Sequence, residues 1–117
     1  MYQDSNTDNF LAFLDSFTMT TPEDVAMKLA TDFRKRRIEK NLTREEIAKR
    51  GKVPLANVAR FEQRGLISLK NLIQLAIALD YLAEISNLFS TPKFSTMEEL
   101  TQIHKNTGKK KAYPPKK

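Results

Sequence analysis

Apolar positions recur at three- and four-residue spacing along most of this chain, the period of amphipathic helices. Phe10, Leu11, Phe13, Leu14 and Phe17 share one face of a short opening helix. Thr21 then offers an N-cap and Pro22 the first helical position, while Glu23 and Asp24 suit the positive end of a helix dipole. Val25, Leu29, Phe33 and Ile38 are the expected buried stripe of this helix, with Arg34, Lys35, Arg36 and Lys40 outside. Thr43 and Glu46 form a capping box, and Leu42 and Ile47 sit where a hydrophobic staple needs them. That second helix must be short, because Gly51 and Pro54 follow. A third runs from near Pro54 to about Gln63, with Val58 and Phe61 inward and Gly65 as its stop. Ser68 caps a fourth, whose apolar face is Leu72, Leu75, Ala76 and Leu79. Leu82, Ile85, Leu88 and Phe89 mark a fifth that ends before Pro92. Ser95 and Glu98 predict one more capping box, with Met97, Leu100 and Ile103 on one face. No stretch alternates with period two and carries enough β-branched residues for a strand. The expected fold class is all-α.

Composition narrows the function. The 117 residues hold no Cys, one His and three Gly. Disulfides and thiolate metal sites are thereby excluded, a His-based zinc site is improbable, and a glycine-rich phosphate loop has no material. No cofactor and no metal is expected. No cluster of His, Cys or paired carboxylates has catalytic spacing, so an enzyme is not expected. No apolar run reaches membrane-spanning length, and the acidic first residues argue against a signal peptide. A cytoplasmic protein without a membrane partner is the default. His104 reads as an exposed residue without a special role.

The net charge of +6 is unevenly spread. Residues 1–24 carry five acids and no base, whereas residues 25–65 carry twelve Lys or Arg against five acids. The last thirteen residues, KNTGKKKAYPPKK, hold six Lys and no acid. A positive middle segment points either to a polyanion partner or to a solvated lysine-rich surface. The expected organisation is an acidic segment over 1–22, a helical domain over 23–90 and a basic, largely disordered tail over 91–117.

The two short helices Thr43–Arg50 and Pro54–Gln63, joined by a tight turn, make a helix-turn-helix candidate over 43–63. The longer string FRKRRIEKNLTREEIAKRGKVPLANVARFEQRGLISLKNLIQLAIAL, residues 33–79, resembles the Cro/C1-type, or XRE, helix-turn-helix family. The resemblance covers about 60 residues once the fifth helix is included, and implies a five-helix DNA-binding domain, here with an extra N-terminal helix. It departs from the family at the turn, where Gly51 and Lys52 replace an apolar residue followed by Gly, and at Pro54, where Ser or Thr is usual.

In the family the second helix of the pair enters the major groove. The outward residues of the third helix are Leu55, Ala56, Asn57, Arg60 and Arg64. Leu55 and Ala56 could read a thymine methyl, Asn57 adenine and Arg60 guanine. Packing against the first helix is the plain alternative for Leu55. Pro54 opens the same face. The resemblance places Arg44 at a phosphate-contacting position, with Lys52, Gln63 and Arg64 as further phosphate candidates. It also implies an ion pair between Arg37 and Glu62, structural rather than DNA-contacting.

The resemblance implies a sequence-specific repressor, with a double-stranded operator as partner and a homodimer as the assembly. Within the family, the hydrophobic fifth helix followed by PKFSTMEEL and a Lys-rich tail looks most like the HipB-like antitoxins, whose partners are HipA-type kinase toxins. A stand-alone phage-type regulator, and a protein-interaction module that has lost DNA reading, remain the alternatives. The N-terminal Phe/Leu stripe fits core, dimer contact or partner docking, and the tail fits either phosphate contact or solubility.

Overall fold

The computed structural model describes residues 21–112, and the opening Phe/Leu stripe lies outside them. The described residues form six helices and no strand: α1 Pro22–Glu39, α2 Arg44–Gly51, α3 Leu55–Arg64, α4 Leu69–Ala78, α5 Leu82–Ser86 and α6 Met97–Asn106. The chain divides into two units, one up to Leu82 and one from Ala83 onward.

In the first unit the starts of α1, α2 and α4 are written in side-chain chemistry. The Thr21 hydroxyl accepts from the Asp24 backbone N–H at 3.1 Å. Thr43 and Glu46 close a reciprocal capping box, with bonds of 3.0 and 3.1 Å. The Thr43 backbone N–H and hydroxyl bind the Glu46 carboxylate and hold it below the usual carboxylate range. Ser68 accepts from the Asn71 backbone N–H. Only α3 lacks a side-chain cap, because its N-cap is Pro54.

The core is Ala30, Phe33, Leu42, Ile47, Ala48, Val53, Val58, Phe61, Leu75 and Leu79. Helix α3 packs on both α1 and α2, and α2 packs on α4. The Phe33 and Phe61 rings meet at 5.4 Å with a tilted geometry, a favourable aromatic arrangement. At the far end of α1, the Lys40 ammonium donates to the Leu79 carbonyl and the Asp80 carboxylate, tying that end to the C-terminus of α4.

The buried stripe of α1 differs from the one its apolar residues predict. Ala30, Phe33 and Arg37 face inward, while Val25, Leu29 and Ile38 are each about half exposed. The face is rotated because α1 meets α3 through a small residue and an arginine. Gly65 lies so near the α1 backbone that a Cβ there would sit 3.0 Å from the Ala26 carbonyl carbon. Such an approach leaves no room for branched residues on that line.

Two further expectations change in the second unit. Helix α5 stops at Ser86 instead of reaching Phe89, and Leu88 and Phe89 are exposed. Polar side chains take over the carbonyls there: the Ser86 hydroxyl donates to Ala83 and the Ser90 hydroxyl to Asn87. Such local bonds compete with helix continuation. The cap of α6 is Thr96, not Ser95, and it binds the Glu99 backbone N–H. Ser95 instead donates its backbone N–H and hydroxyl to the Glu99 carboxylate.

Candidate nucleic-acid interface

Helices α2 and α3 are joined by Lys52, Val53 and Pro54. Lys52 ends α2 in the left-handed region, φ 54° and ψ 44°. Glycine is the usual occupant of that conformation, since a Cβ there costs about 1 kcal/mol. The neighbouring Gly51 does other work. It is buried, its missing Cβ would meet the Gln74 carbonyl and the Leu75 side chain at 3.3 Å, and its own carbonyl accepts from the Gln74 amide. The glycine thus serves the approach of α4, and a lysine bears the turn. Val53 seals the turn into the core, and its N–H reaches back to the Ala48 carbonyl.

Helix α3 is held from its inner face. Val58, Phe61 and Glu62 are buried. The Glu62 carboxylate accepts from Arg37 Nε at 2.7 Å and from Arg37 Nη2 at 2.9 Å, a bidentate pair linking α3 to α1. Arg37 Nη1 donates to the Leu42 carbonyl. A second cation completes the group: Arg44 Nε donates to Glu62 Oε1 at 3.0 Å. Burial pushes the Glu62 carboxyl up, but the bonds and charges of Arg37 and Arg44 outweigh it and hold it below the usual carboxylate range. One carboxylate therefore fixes three helices at the base of α3. The second bond of that carboxylate is the feature that sequence reasoning missed, because Arg44 had been assigned to phosphate alone.

The outer face of α3 makes none of these contacts. Leu55, Ala56, Arg60, Gln63 and Arg64 are exposed and Asn57 is half buried. Leu55 is 44% exposed. Pro54 and Lys52 are exposed beside them, while Arg44 is half buried with its Nε committed to Glu62. Asn57 and Arg60 line one shallow hollow with Leu66, Ile67, Ser68 and Asn71. Leu66, Ser68 and Asn71 did not stand out as site residues in the sequence, where Ser68 reads only as a helix cap, because they lie beyond the end of α3 and join its face only once Gly65 turns the chain.

The charge of this surface is one-sided. Between Glu46 and Asp80 the only acid is Glu62, and it is buried between two arginines. Lys49, Arg50, Lys52, Arg60, Arg64 and Lys70 are all exposed over that stretch. Among the described residues no group of three His, Cys, Asp or Glu could hold a metal ion, and no helix is long and apolar enough to cross a membrane.

No match to a curated protein was found. Residues 33–85 match the family model described as helix-turn-helix. The matched span covers the last part of α1, all of α2 to α4 and most of α5. The all-helical arrangement and this match agree with a Cro/C1-type fold. Residues 33–85 are thus similar to the helix-turn-helix family, a likeness that supports a DNA-binding transcription regulator.

Proposed function

We propose that the chain is a sequence-specific repressor in which α3 lies in the major groove of its operator. The observation that carries this reading is the outer face of α3: a row of uncommitted side chains on a helix locked from behind, within a stretch, residues 47–79, whose single acid is buried. Arg60 and Asn57 carry the hydrogen-bonding readout, Arg60 to guanine O6 and N7 and Asn57 to adenine. Leu55 and Ala56, at the N-terminal end with Pro54, take thymine methyl groups. Lys52, Gln63 and Arg64 bind the flanking phosphates. Arg44 serves both sides: its Nε is on Glu62, and its partly exposed guanidinium keeps further N–H groups for a phosphate.

A homodimer on a two-fold operator is the matching assembly, because paired recognition helices reach half-sites about one helical turn apart. The resemblance to HipB-like antitoxins adds a narrower reading, in which the chain represses its own operon and binds a HipA-type kinase toxin. The test is a footprint on the DNA upstream of its own reading frame, together with co-purification from the native operon. The proposal requires a protected site with two half-sites. Protection that is uniform over all sequences would reduce the domain to a non-specific binder. A footprint without a co-purifying kinase would favour the stand-alone regulator.

A further inference from the structure

We infer that the C-terminal end of the second unit is a separate, sequence-independent contact for the phosphate backbone of double-stranded DNA. It goes beyond the reading of α3 and draws on different residues. The last acid of the chain is Glu99, and its carboxylate is occupied by the Ser95 N–H and hydroxyl. Residues 100–117 hold six lysines and no acid. Lys105 stands exposed in the last turn of α6. Just past that helix, Gly108 adopts φ 88°, and the Lys109 N–H turns back to the Asn106 carbonyl. This turn gathers Lys109, Lys110 and Lys111 beside Asn106 and Ala112 around one hollow.

Helix-dipole compensation does not use up this charge. The C-terminus of a helix carries roughly half a negative charge. Lys105, Lys110 and Lys111 bring three positive ones within seven residues. The excess calls for a polyanion. A lipid surface is the poorer fit, since the segment offers no run of large apolar side chains to enter a bilayer: beyond Ile103 the only apolar residues are Ala112, Tyr113 and two prolines. Sequence readout is not expected either, because lysine heads on flexible stems act as point charges.

The experiment uses the full chain and a 25-base-pair duplex of arbitrary sequence, with binding followed by fluorescence anisotropy over about 50 to 300 mM salt. Lys105, Lys110 and Lys111 are changed together to Gln. A second variant carries Lys52→Gln and Arg64→Gln in the helix-turn-helix. Each lost phosphate contact flattens the log–log salt slope by roughly 0.9, so the tail variant should flatten by about 2 to 3. Its circular dichroism melt should match the parent. A slope within about 0.5 of the parent's overturns the inference, whatever the helix-turn-helix variant does. Weakening by the tail variant alone would support the tail contact and count against the α3 reading. Lost binding to phosphatidylserine vesicles with unchanged DNA binding would assign the lysines to a membrane and overturn the proposal.

Discussion

The two faces of α3 are built on opposite terms. Inside, Val58, Phe61 and Glu62 have every polar atom paired and no room to move. Outside, Leu55, Arg60, Gln63 and Arg64 are exposed. A recognition helix needs both conditions, since rigid placement lowers the ordering cost of binding and free side chains supply the contacts. The difference predicts a division of labour. Inner substitutions should change stability first, and outer ones should change DNA affinity with the fold intact.

The largest effect falls on Glu62. Glu62→Ala strands the buried Arg37 guanidinium, and breaking a buried pair costs roughly 3–5 kcal/mol. Glu45→Ala, on the exposed side of α2, should stay within about 0.5 kcal/mol. Thermal melts of the two separate these outcomes. Arg37→Met with Glu62→Leu should recover most of the loss, since Arg44 can turn to solvent. The same carboxylate sets an acid limit. Its native pKa is lowered, so its contribution is complete above the ordinary carboxylate range and is lost as pH falls through the native value. A melt series from pH 7 to pH 3 should show a steeper decline for the parent than for Glu62→Gln.

Next in size is Gly65→Ala. It forces a side chain to φ 68° and presses a Cβ against the Ala26 backbone at 3.0 Å. The conformation alone costs about 1–2 kcal/mol, and the contact adds to it. Lys52→Gly should go the other way. It relieves the left-handed strain and stabilises by up to about 1 kcal/mol, while removing a cation from the proposed DNA face. A higher melting temperature with weaker DNA binding is the expected pair of results. If Lys52→Gly improves both, the lysine has no role at the interface.

The starts of α1, α2 and α4 were legible in the sequence because capping is local chemistry: Thr21, Thr43 with Glu46, and Ser68 all cap as their spacing predicts. The rotation of α1 was not. Val25, Leu29 and Ile38 read as a stripe, yet the buried line runs through Ala30 and through Arg37, whose pairing with Glu62 the family resemblance implied and the helical pattern did not. What moved it is non-local: the carboxylate of Glu62, 25 residues away, and the close approach of Gly65. The turn shows the same limit. Gly51 next to Lys52 looks like a displaced turn glycine, and only the position of α4 reveals that Gly51 is kept for packing. On the outer face, the expected DNA residues share one side of α3 because helical period alone puts them there, whereas the hollow formed with Leu66, Ser68 and Asn71 depends on the turn at Gly65.

The smallest stability change and the most direct test come from one substitution, Arg60→Ala. Arg60 is exposed and its side chain has no part in the Glu62 group, so the melt should shift by no more than about 0.5 kcal/mol. Affinity for the footprinted operator should fall by roughly 1–3 kcal/mol, with little change on a duplex altered at the guanine that Arg60 reads. An unchanged melt with that selective loss is what a helix locked inside and free to read outside requires. Unchanged operator affinity in Arg60→Ala would contradict it and remove α3 as the surface that reads DNA.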